Sequence, residues 1–466
     1  MERVIAVLDG LNTFLYSKIL IVLLVAVGLY FTLRTKAVQF RLLPEALREV
    51  AEPKHDQSGI SSFQALMLST ASRVGTGNIA GVATAIAGGG PGAVFWMWVT
   101  ALAGGASAFI ESTLAQVYKI QDRDGFRGGP AYYIQYGLGQ RWLGVVFAVL
   151  LILCFGFGFN GLQSYNATSA FQFYLGSRFE PTHFALLMGL MLSGATAFVI
   201  FGGVHRISFI SSVVVPVMAL GYMALGLWII LKNIASLPQV AAMIVTAAFD
   251  VQAIMGGFAG SCVAYGVKRG LFSNEAGMGS APNAAATANV SHPAKQGLVQ
   301  MLSVFIDTLL ICSTTAFILL VSDLPEEGAL NGMPYVQSAV FSQVGFWGSH
   351  FLTFAILAFA FSSIIGNYYY AEANLLFIKD SKALLLVFRL AVVVMVFLSA
   401  GASFDFVWNL ADVLMGLMAL VNIIVILRLG GLAIRVLDDY TRQKKAGRDP
   451  VFHAKDVGLN NTQQWK

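Results

Sequence analysis

The sequence predicts an all-α integral membrane protein, and two observations lead to that prediction. Apolar residues make up 57% of the 466 positions, whereas Asp, Glu, Lys and Arg together make up 11%. Apolar stretches recur along the whole chain at lengths near the ~20 residues that a membrane-spanning helix needs. A water-soluble globule could not cover its surface with so few charged residues. Because backbone groups inside a bilayer must be satisfied internally, these stretches are expected to be helices.

A hydropathy reading of the chain gives eleven candidate spans. The first is interpreted as a retained span, since it lacks the small-residue cleavage site of a signal peptide. The longest polar stretch is the C-terminal tail, which is too short to fold alone. The predicted spans are 12–33, 60–87, 91–118, 142–175, 183–202, 208–231, 250–268, 297–321, 347–377, 384–400 and 404–427.

The basic residues predict the orientation of these spans, because short cytoplasmic loops collect Lys and Arg. If the first span runs from outside to inside, 24 of the 29 Lys and Arg residues lie on the cytoplasmic side, Lys268 and Arg269 among them. The loop at 322–346 has acidic residues and no Lys or Arg, as an external loop should. The N-terminus is therefore expected outside and the C-terminus in the cytoplasm. The net charge of +5 follows from this topology and requires no nucleic-acid partner.

The sequence offers no support for enzymatic chemistry. It has no His-Glu-x-x-His metal motif, no nucleophile elbow and no Walker-type phosphate loop, which argues against an enzyme and against an ATP-driven pump. Cys154, Cys262 and Cys312 fall in apolar spans, at spacings that match neither a disulfide framework nor a metal site. No cofactor is expected. A transporter, a channel and a structural membrane protein remain as alternatives.

Glycines interrupt the second candidate span at its middle. The segment Ser72–Gly81 reads SRVGTGNIAG, and each glycine in a helix costs about 1 kcal/mol relative to alanine. Unwinding here would free amides that can hold a carboxylate, and carbonyls that can ligate a hard cation such as Na+ together with the Asn78 side chain. Close helix packing through small residues is an alternative explanation that stays open.

A second glycine-rich segment, Gly256–Ser261, lies five spans later. Corresponding interrupted helices in two halves of a transporter point to an inverted repeat with a binding site at the bilayer midplane. Spans 60–87 and 250–268 would each open a five-helix repeat, and the odd number of spans between their starts gives the halves opposite topology. The predicted organisation is an N-terminal helix and basic linker at 1–45, repeats at 60–235 and 245–427, and a tail at 428–466.

Several motifs resemble the signatures of the alanine or glycine:cation symporter family. The resemblance implies a LeuT-like five-plus-five fold with discontinuous helices and one extra N-terminal helix. It also implies uptake of alanine, glycine, D-alanine, glutamine or a related amino acid with Na+ or H+, in a prokaryotic inner membrane. An uncoupled exchanger or an ion channel on the same fold is the alternative. The motifs are Gly75–Val82, Gly89–Trp98, Phe126–Pro130, Phe272–Ser280, Asp307-Thr308 and Phe361–Tyr368.

Similarity to the unwound first core helix of LeuT-like transporters implies where the substrate binds. The amides of Thr76 and Gly77 would take the substrate carboxylate. Family members often have Trp where this chain has Asn367, so the smaller side chain leaves room for a substrate longer than glycine. The implied substrate-binding residues are Gly75, Thr76, Gly77, Gln163, Gly257, Phe258, Ser363 and Asn367.

The same similarity implies a set of Na+ ligands. Carbonyl groups near Ala71 and Val74 and the side chain of Asn78 would face cations. Ser362 and Ser363 lie where LeuT-like transporters use hydroxyl groups for a Na+ site. All of these ligands are oxygen atoms, which hard cations prefer.

Other polar residues have open roles. Arg73, beside the first break, could form a gate or could be a structural cation. Asp250 could attract an ammonium group or cap a helix. The segment Ser273–Glu275 is interpreted as an inner gate or a helix cap near the cytoplasm. Intramembrane carboxylates often form proton relays or ion pairs, and those present here are Glu111, Asp307, Glu372 and Asp412.

Overall fold

The structure is a computed structural model, and it describes residues 2–53, 59–122, 125–175, 181–249, 262–322, 331–459 and 462–465. Nine helices in these ranges are long and apolar enough to cross a membrane. They match nine of the eleven predicted spans, so the all-α membrane class is confirmed. In chain order, the helices are α1 Glu2–Arg34, α2 Val38–Arg41, α3 Leu43–Val50, α4 Ser62–Arg73, α5 Ala80–Gly89, α6 Gly92–Val117, α7 Pro130–Leu138, α8 Arg141–Leu175, α9 Pro181–Ile200, α10 Gly203–Lys232, α11 Leu237–Ala248, α12 Cys262–Asn274, α13 Pro282–Ala285, α14 Pro293–Leu320, α15 Gly332–Val344, α16 Phe346–Ile378, α17 Lys382–Ser399 and α18 Phe404–Lys445.

The two other predicted spans are not continuous helices in the described residues. Span 60–87 is divided between α4 and α5, which have 12 and 10 residues and are each too short to cross a bilayer. Of span 250–268, residues 250–261 lie outside the described residues. The remainder belongs to α12, which continues past the predicted end at 268 to Asn274.

Two further features differ from the sequence prediction. The strands β1, Ile120–Asp122, and β2, Gly125–Arg127, form a short antiparallel hairpin between α6 and α7. Helix α18 continues 18 residues beyond the predicted end at 427. Its extension is amphipathic, because Leu429, Leu432, Ala433, Val436, Leu437 and Tyr440 form a buried face at helical spacing.

Small residues let the helices around α6 pack closely. A Cβ atom on Gly28 of α1 would lie 2.9 Å from the backbone of Ala103, and one on Gly92 would lie 2.6 Å from the backbone of Ala247. Association of helices in lipid depends on such close packing, since water does not drive the helices together. Gly28 and Gly92 are therefore explained by close helix packing.

The C-terminal segment after α18 packs on one end of the bundle. Lys295, at the start of α14, makes ion pairs with Glu52 at 2.5 Å and Asp449 at 3.0 Å. The Ser291 hydroxyl donates to the Pro450 carbonyl at 2.8 Å, and the Trp465 indole donates to the Gln116 carbonyl at 2.8 Å. The tail thus fixes the loop that leads into α14.

Buried Glu49 on α3 makes this end of the bundle sensitive to pH. Burial and the neighbouring carboxyl group of Glu52 raise the pKa of Glu49 to about 8 from 4.5, although Lys295 opposes the shift. The folded protein therefore holds a proton here that the unfolded chain has released. Protonated Glu49 makes its full contribution to the free energy of unfolding below pH 4.5. This contribution is lost as the pH rises to about 8.

Glu49→Gln should remove this contribution to the pH dependence. The melting temperature of the variant minus that of the native protein should be about 2 °C or more higher at pH 8 than at pH 5. Thermal unfolding in detergent measures both values. Glu45→Gln on the same helix is the control and should show no comparable gain. An equal difference between variant and native protein at both pH values would contradict the assignment.

Candidate functional site

The first helix break lies between α4 and α5. Val74 and Gly75 are extended, with φ/ψ of −78°/91° and −141°/−152°, and Thr76–Asn78 then form a single 3-10 turn. The Asn78 side-chain oxygen accepts a hydrogen bond from the Gly75 amide at 3.0 Å, which replaces a bond of the interrupted helix. The unwinding predicted from the glycines is therefore present.

Neighbouring side chains explain why the break contains glycine. A Cβ atom on Gly75 would overlap the hydroxyl oxygen of Ser363, and one on Gly77 would lie 2.6 Å from the Phe272 ring. Neither glycine has a positive φ angle, so lack of space and not backbone conformation excludes a larger residue. The close approach places α16 and α12 directly against the unwound segment.

A second break, which the sequence did not predict, lies between α12 and α13. The predicted segment Gly256–Ser261 lies outside the described residues, as do Asp250, Gly257 and Phe258. In the described chain, α12 ends at Asn274, and the following residues take positive φ angles at Glu275, Gly277 and Gly279 (56°, 80° and 86°). Only glycine adopts such angles without strain, which explains the two glycines here.

A buried carboxylate holds this second break open. Glu111 of α6 accepts hydrogen bonds from the amides of Gly277 and Gly279 at 3.2 and 3.1 Å, and from the Asn422 side chain at 2.8 Å. Unwound backbone inside a membrane needs such partners, because no water is there to satisfy it. Glu111 therefore has structural contacts at the second break, whereas the sequence left its role open.

The two breaks lie beside each other. The Ser72 hydroxyl lies 2.9 Å from the Glu275 carboxylate and 2.7 Å from the side-chain oxygen of Asn367. The Asn78 side chain donates to the Ser273 hydroxyl at 2.9 Å. Ser273 and Glu275 were predicted to lie near the cytoplasm as a gate or a cap. They contact the first break, because α12 continues six residues beyond its predicted end at 268.

Six of the predicted substrate-binding residues are described, and all lie at the first break. Gly75, Thr76 and Gly77 belong to it, and Gln163, Ser363 and Asn367 lie beside it. Gln163 of α8 accepts hydrogen bonds through Oε1 from the Thr76 amide at 3.2 Å and from the Thr76 hydroxyl at 2.9 Å. The Ser363 hydroxyl and the Asn367 amide nitrogen are buried and have no hydrogen-bond partner among the described residues. These polar atoms could serve a bound polar ligand, since buried polar groups are rarely left unpaired.

Asn78 lies in a group of acceptor atoms on the other side of the break. Its amide nitrogen is 2.6 Å from Asp307 Oδ1, and it also approaches the Asp307 carbonyl oxygen and the Cys312 sulfur within 3.4 Å. Ser273 and Thr308 donate to Asp307 Oδ2 at 2.6 and 3.0 Å. No Lys, Arg or His in the described chain forms an ion pair with Asp307. The carboxylate is thus hydrogen-bonded without a neutralising charge beside it.

The other predicted Na+ ligands lie where α4 packs on α16. A Cβ atom on Gly366 would lie 2.9 Å from the Ser72 amide and 3.3 Å from the Ala71 carbonyl carbon. The Val74 amide still bonds to the Thr70 carbonyl at 2.7 Å, and the Ser362 hydroxyl donates to the Phe359 carbonyl at 3.0 Å. Sequence reasoning did not include Ser273 or Asp307 in this set. An Asp in an apolar stretch was the available signal for Asp307.

Arg73 is the basic residue closest to this region in the sequence, and it is 2% exposed. One guanidinium nitrogen donates to the Gln300 carbonyl at 3.4 Å, and the other two have no partner among the described residues. Glu111, Glu275 and Asp307 are also buried, and Arg73 forms no ion pair with any of them in the described chain.

Lys268 and Arg269 were predicted to lie at a cytoplasmic helix end, and the structure corrects this. Both are inside α12, where Arg269 donates to the two carboxylate oxygens of Asp412 at 3.0 and 2.7 Å and Lys268 lies 3.3 Å away. Asn12 of α1 approaches the same carboxylate at 3.4 Å. Asp412 therefore joins α12, α18 and the N-terminal helix, and its contacts are structural.

The contact between Gly75 and Ser363 gives a testable prediction. Gly75→Ala should destabilise the protein by about 1–3 kcal/mol, since the added methyl group overlaps the hydroxyl. Ser363→Ala combined with Gly75→Ala should recover part of this loss in a thermal unfolding measurement. Gly431→Ala is the control, because nothing lies within 4 Å of its Cβ position. No recovery in the double variant would contradict the contact.

Comparison with known proteins agrees with this architecture. The family model described as the sodium:alanine symporter family matches residues 1–454. The chain is 49% identical over 450 residues to the amino-acid carrier protein AlsT of Bacillus subtilis (strain 168), covering 96% of this chain and 95% of that protein. It is also 49% identical over 464 residues to a protein of the same organism named "Probable sodium/glutamine symporter GlnT", with 99% and 96% covered. The sodium/alanine symporter AgcS of Methanococcus maripaludis is 37% identical over 438 residues, with 92% and 96% covered. The chain belongs to the sodium:alanine symporter family and is a multi-pass membrane transporter.

Proposed function

We propose that this protein imports a small neutral amino acid together with Na+ by alternating access. One observation carries the proposal: two unwound helix segments meet beside a buried carboxylate, Asp307, that has no paired cation in the described chain. Freed amides suit the substrate carboxylate, and the uncompensated charge suits a cation. The proposed architecture is the LeuT-like five-plus-five repeat of eleven helices, with repeats at 60–235 and 245–427 and α1 as the addition.

The substrate site is proposed at the first break. A substrate carboxylate would take the amides of Thr76 and Gly77, and this would release Gln163 Oε1 from its bond to the Thr76 amide. The released oxygen could then accept from the substrate ammonium group. Ser363 and Asn367 supply the remaining polar atoms. Relatives named for alanine and for glutamine support a small neutral amino acid as substrate, and Asn367 would leave space for the longer one.

The coupled cation is proposed to bind between Asn78 and Asp307. Rotation of the Asn78 carboxamide would turn its oxygen toward Asp307, so that a Na+ ion has oxygen ligands from Asn78, Ser273 and Asp307. The carbonyl groups of Ala71 and Val74 and the hydroxyls of Ser362 and Ser363 form the second proposed set. Cation binding would neutralise the site and favour the rearrangement that exposes it to the other side.

The proposed setting is a prokaryotic inner membrane with the N-terminus outside and the C-terminus in the cytoplasm. Basic residues in α3, in the hairpin and in the C-terminal part of α18 support this orientation. Lys268 and Arg269 lie inside α12 and do not count as loop charges, but most basic residues still lie on the same proposed side. Substrate would thus enter from the side that carries the N-terminus.

Uptake of labelled alanine into proteoliposomes tests the proposed function. Uptake should be saturable, should collapse when the inward Na+ gradient is removed, and should be competed by glutamine if the longer substrate is accepted. Saturable uptake that needs only internal amino acid would instead show an exchanger. Ion current without saturable amino-acid uptake would show a channel.

Asp307→Asn tests the cation site while keeping the shape of the side chain. The Na+ concentration for half-maximal alanine uptake should rise about tenfold or more, because the charged ligand is lost. Thr314→Val is the control on the same helix, since the hydrogen bonds of Thr314 in the described part of the chain go to Leu310 and Met223, at 2.8 and 3.3 Å. Unchanged Na+ dependence in a folded Asp307→Asn protein would exclude Asp307 as a ligand.

A further inference from the structure

A cavity of about 390 Å³ is lined by the C-terminal half of α16 and the N-terminal half of α17. Its walls include Ile60 before α4, Phe126 of the hairpin, and Glu372 and Arg389 of the two helices. This volume is within the range of about 300–1,000 Å³ that small-molecule sites in proteins have. The cavity is separate from the residues that the proposed function uses, since Gln163, Ser363 and Asn367 do not line it.

Glu372 and Arg389 present opposite charges to this cavity without a close hydrogen bond between them. Their nearest charged atoms are 3.6 Å apart, beyond the ~2.7–2.9 Å of a charge-assisted hydrogen bond. The Glu372 side chain is 9% exposed, and its Oε2 atom has no hydrogen-bond partner among the described residues. A buried carboxylate oxygen without a partner is costly, and it points to a ligand that donates a hydrogen bond.

Arg389 is held in place for such a ligand. Its Nε atom donates to the Tyr368 hydroxyl at 2.9 Å, and its side chain is 18% exposed. The other charged pair at the cavity differs, because Arg127 and Asp122 already make two hydrogen bonds to each other, one of them at 3.0 Å. Arg389 therefore has donors left for a carboxylate, and Glu372 has an acceptor left for an ammonium group.

The cavity lies near the proposed substrate site along α16. Glu372 follows Asn367 by five residues, which is about 7.5 Å along a helix axis. Ile60 belongs to the segment that leads into the first break, and it pairs with the chain after the second break through Thr287 and Asn289 at 3.3 and 3.0 Å. A molecule that leaves the breaks toward this end of the bundle would thus encounter the Glu372–Arg389 pair.

We propose that this cavity is a second binding site for zwitterionic α-amino acids, with the ammonium group on Glu372 and the carboxylate on Arg389. The inference rests on the proposed amino-acid transport and adds a second site to it. The site binds the substrate more weakly than the helix break does, because Arg389 is partly exposed and its interactions are screened by solvent. A carboxylate without an ammonium group would bind Arg389 alone and would leave Glu372 Oε2 without a hydrogen-bond donor.

Equilibrium dialysis with labelled alanine on the purified protein tests the second site. At saturating alanine and Na+, the native protein should hold two alanines per chain, and Glu372→Gln should hold one. Asp380→Asn is the matched control, because Asp380 lines the same cavity but is exposed, and it should keep both. Propionate, which lacks the ammonium group, should not displace the weaker-bound alanine.

Arg389→Lys provides a second variant if Glu372→Gln does not fold. It keeps the positive charge but loses the planar guanidinium group, which can donate two parallel hydrogen bonds to a carboxylate. The affinity of the weaker site for alanine should therefore fall at least about tenfold. One alanine per native chain, or two in folded Glu372→Gln, would overturn the proposal. Proteoliposomes made from the same preparation test the proposed function separately. Absent Na+-driven uptake there would refute symport without changing the number of alanines bound.

Discussion

The structure depends on one constraint: backbone that is unwound inside a membrane must find polar partners within the protein. Glu111 meets this need at the second break by accepting from the Gly277 and Gly279 amides, and the Asn78 side chain meets part of it at the first. The Thr76 amide of the first break is bonded to Gln163, a partner that a substrate could replace. A break that is only partly fixed by its own chain is thus suited to binding a ligand.

Charge balance connects this site to a cation. Glu111, Glu275 and Asp307 are all buried, and Arg73 forms no ion pair with them in the described chain. Concentrating negative charge in a medium of low dielectric is costly, and a bound cation reduces that cost. Asp307 contacts Asn78 at the first break and Ser273 at the end of α12. A cation there would therefore act on both breaks together, which gives a physical basis for coupling.

The sequence predicted the membrane class, nine continuous helices and the first break, because apolar length and clustered glycines are local signals. It ended the span at 268, because the charged pair Lys268 and Arg269 is typical of a helix end. In the structure α12 continues to Asn274, and both residues form ion pairs with Asp412. The contacts of Asp307 with Asn78, and of Glu372 with Arg389, join residues far apart in the chain. Such pairings depend on tertiary packing, which periodicity and composition do not contain.

Equilibrium binding of labelled alanine to the purified protein, titrated with Na+ in place of choline, tests the central claim most directly. If the two breaks form one site for amino acid and cation, the affinity of the tighter-bound alanine should rise about tenfold or more with saturating Na+. The affinity for Na+ should rise by the same factor with saturating alanine, because coupling between two sites is reciprocal. An alanine affinity that does not change with Na+ would contradict the account.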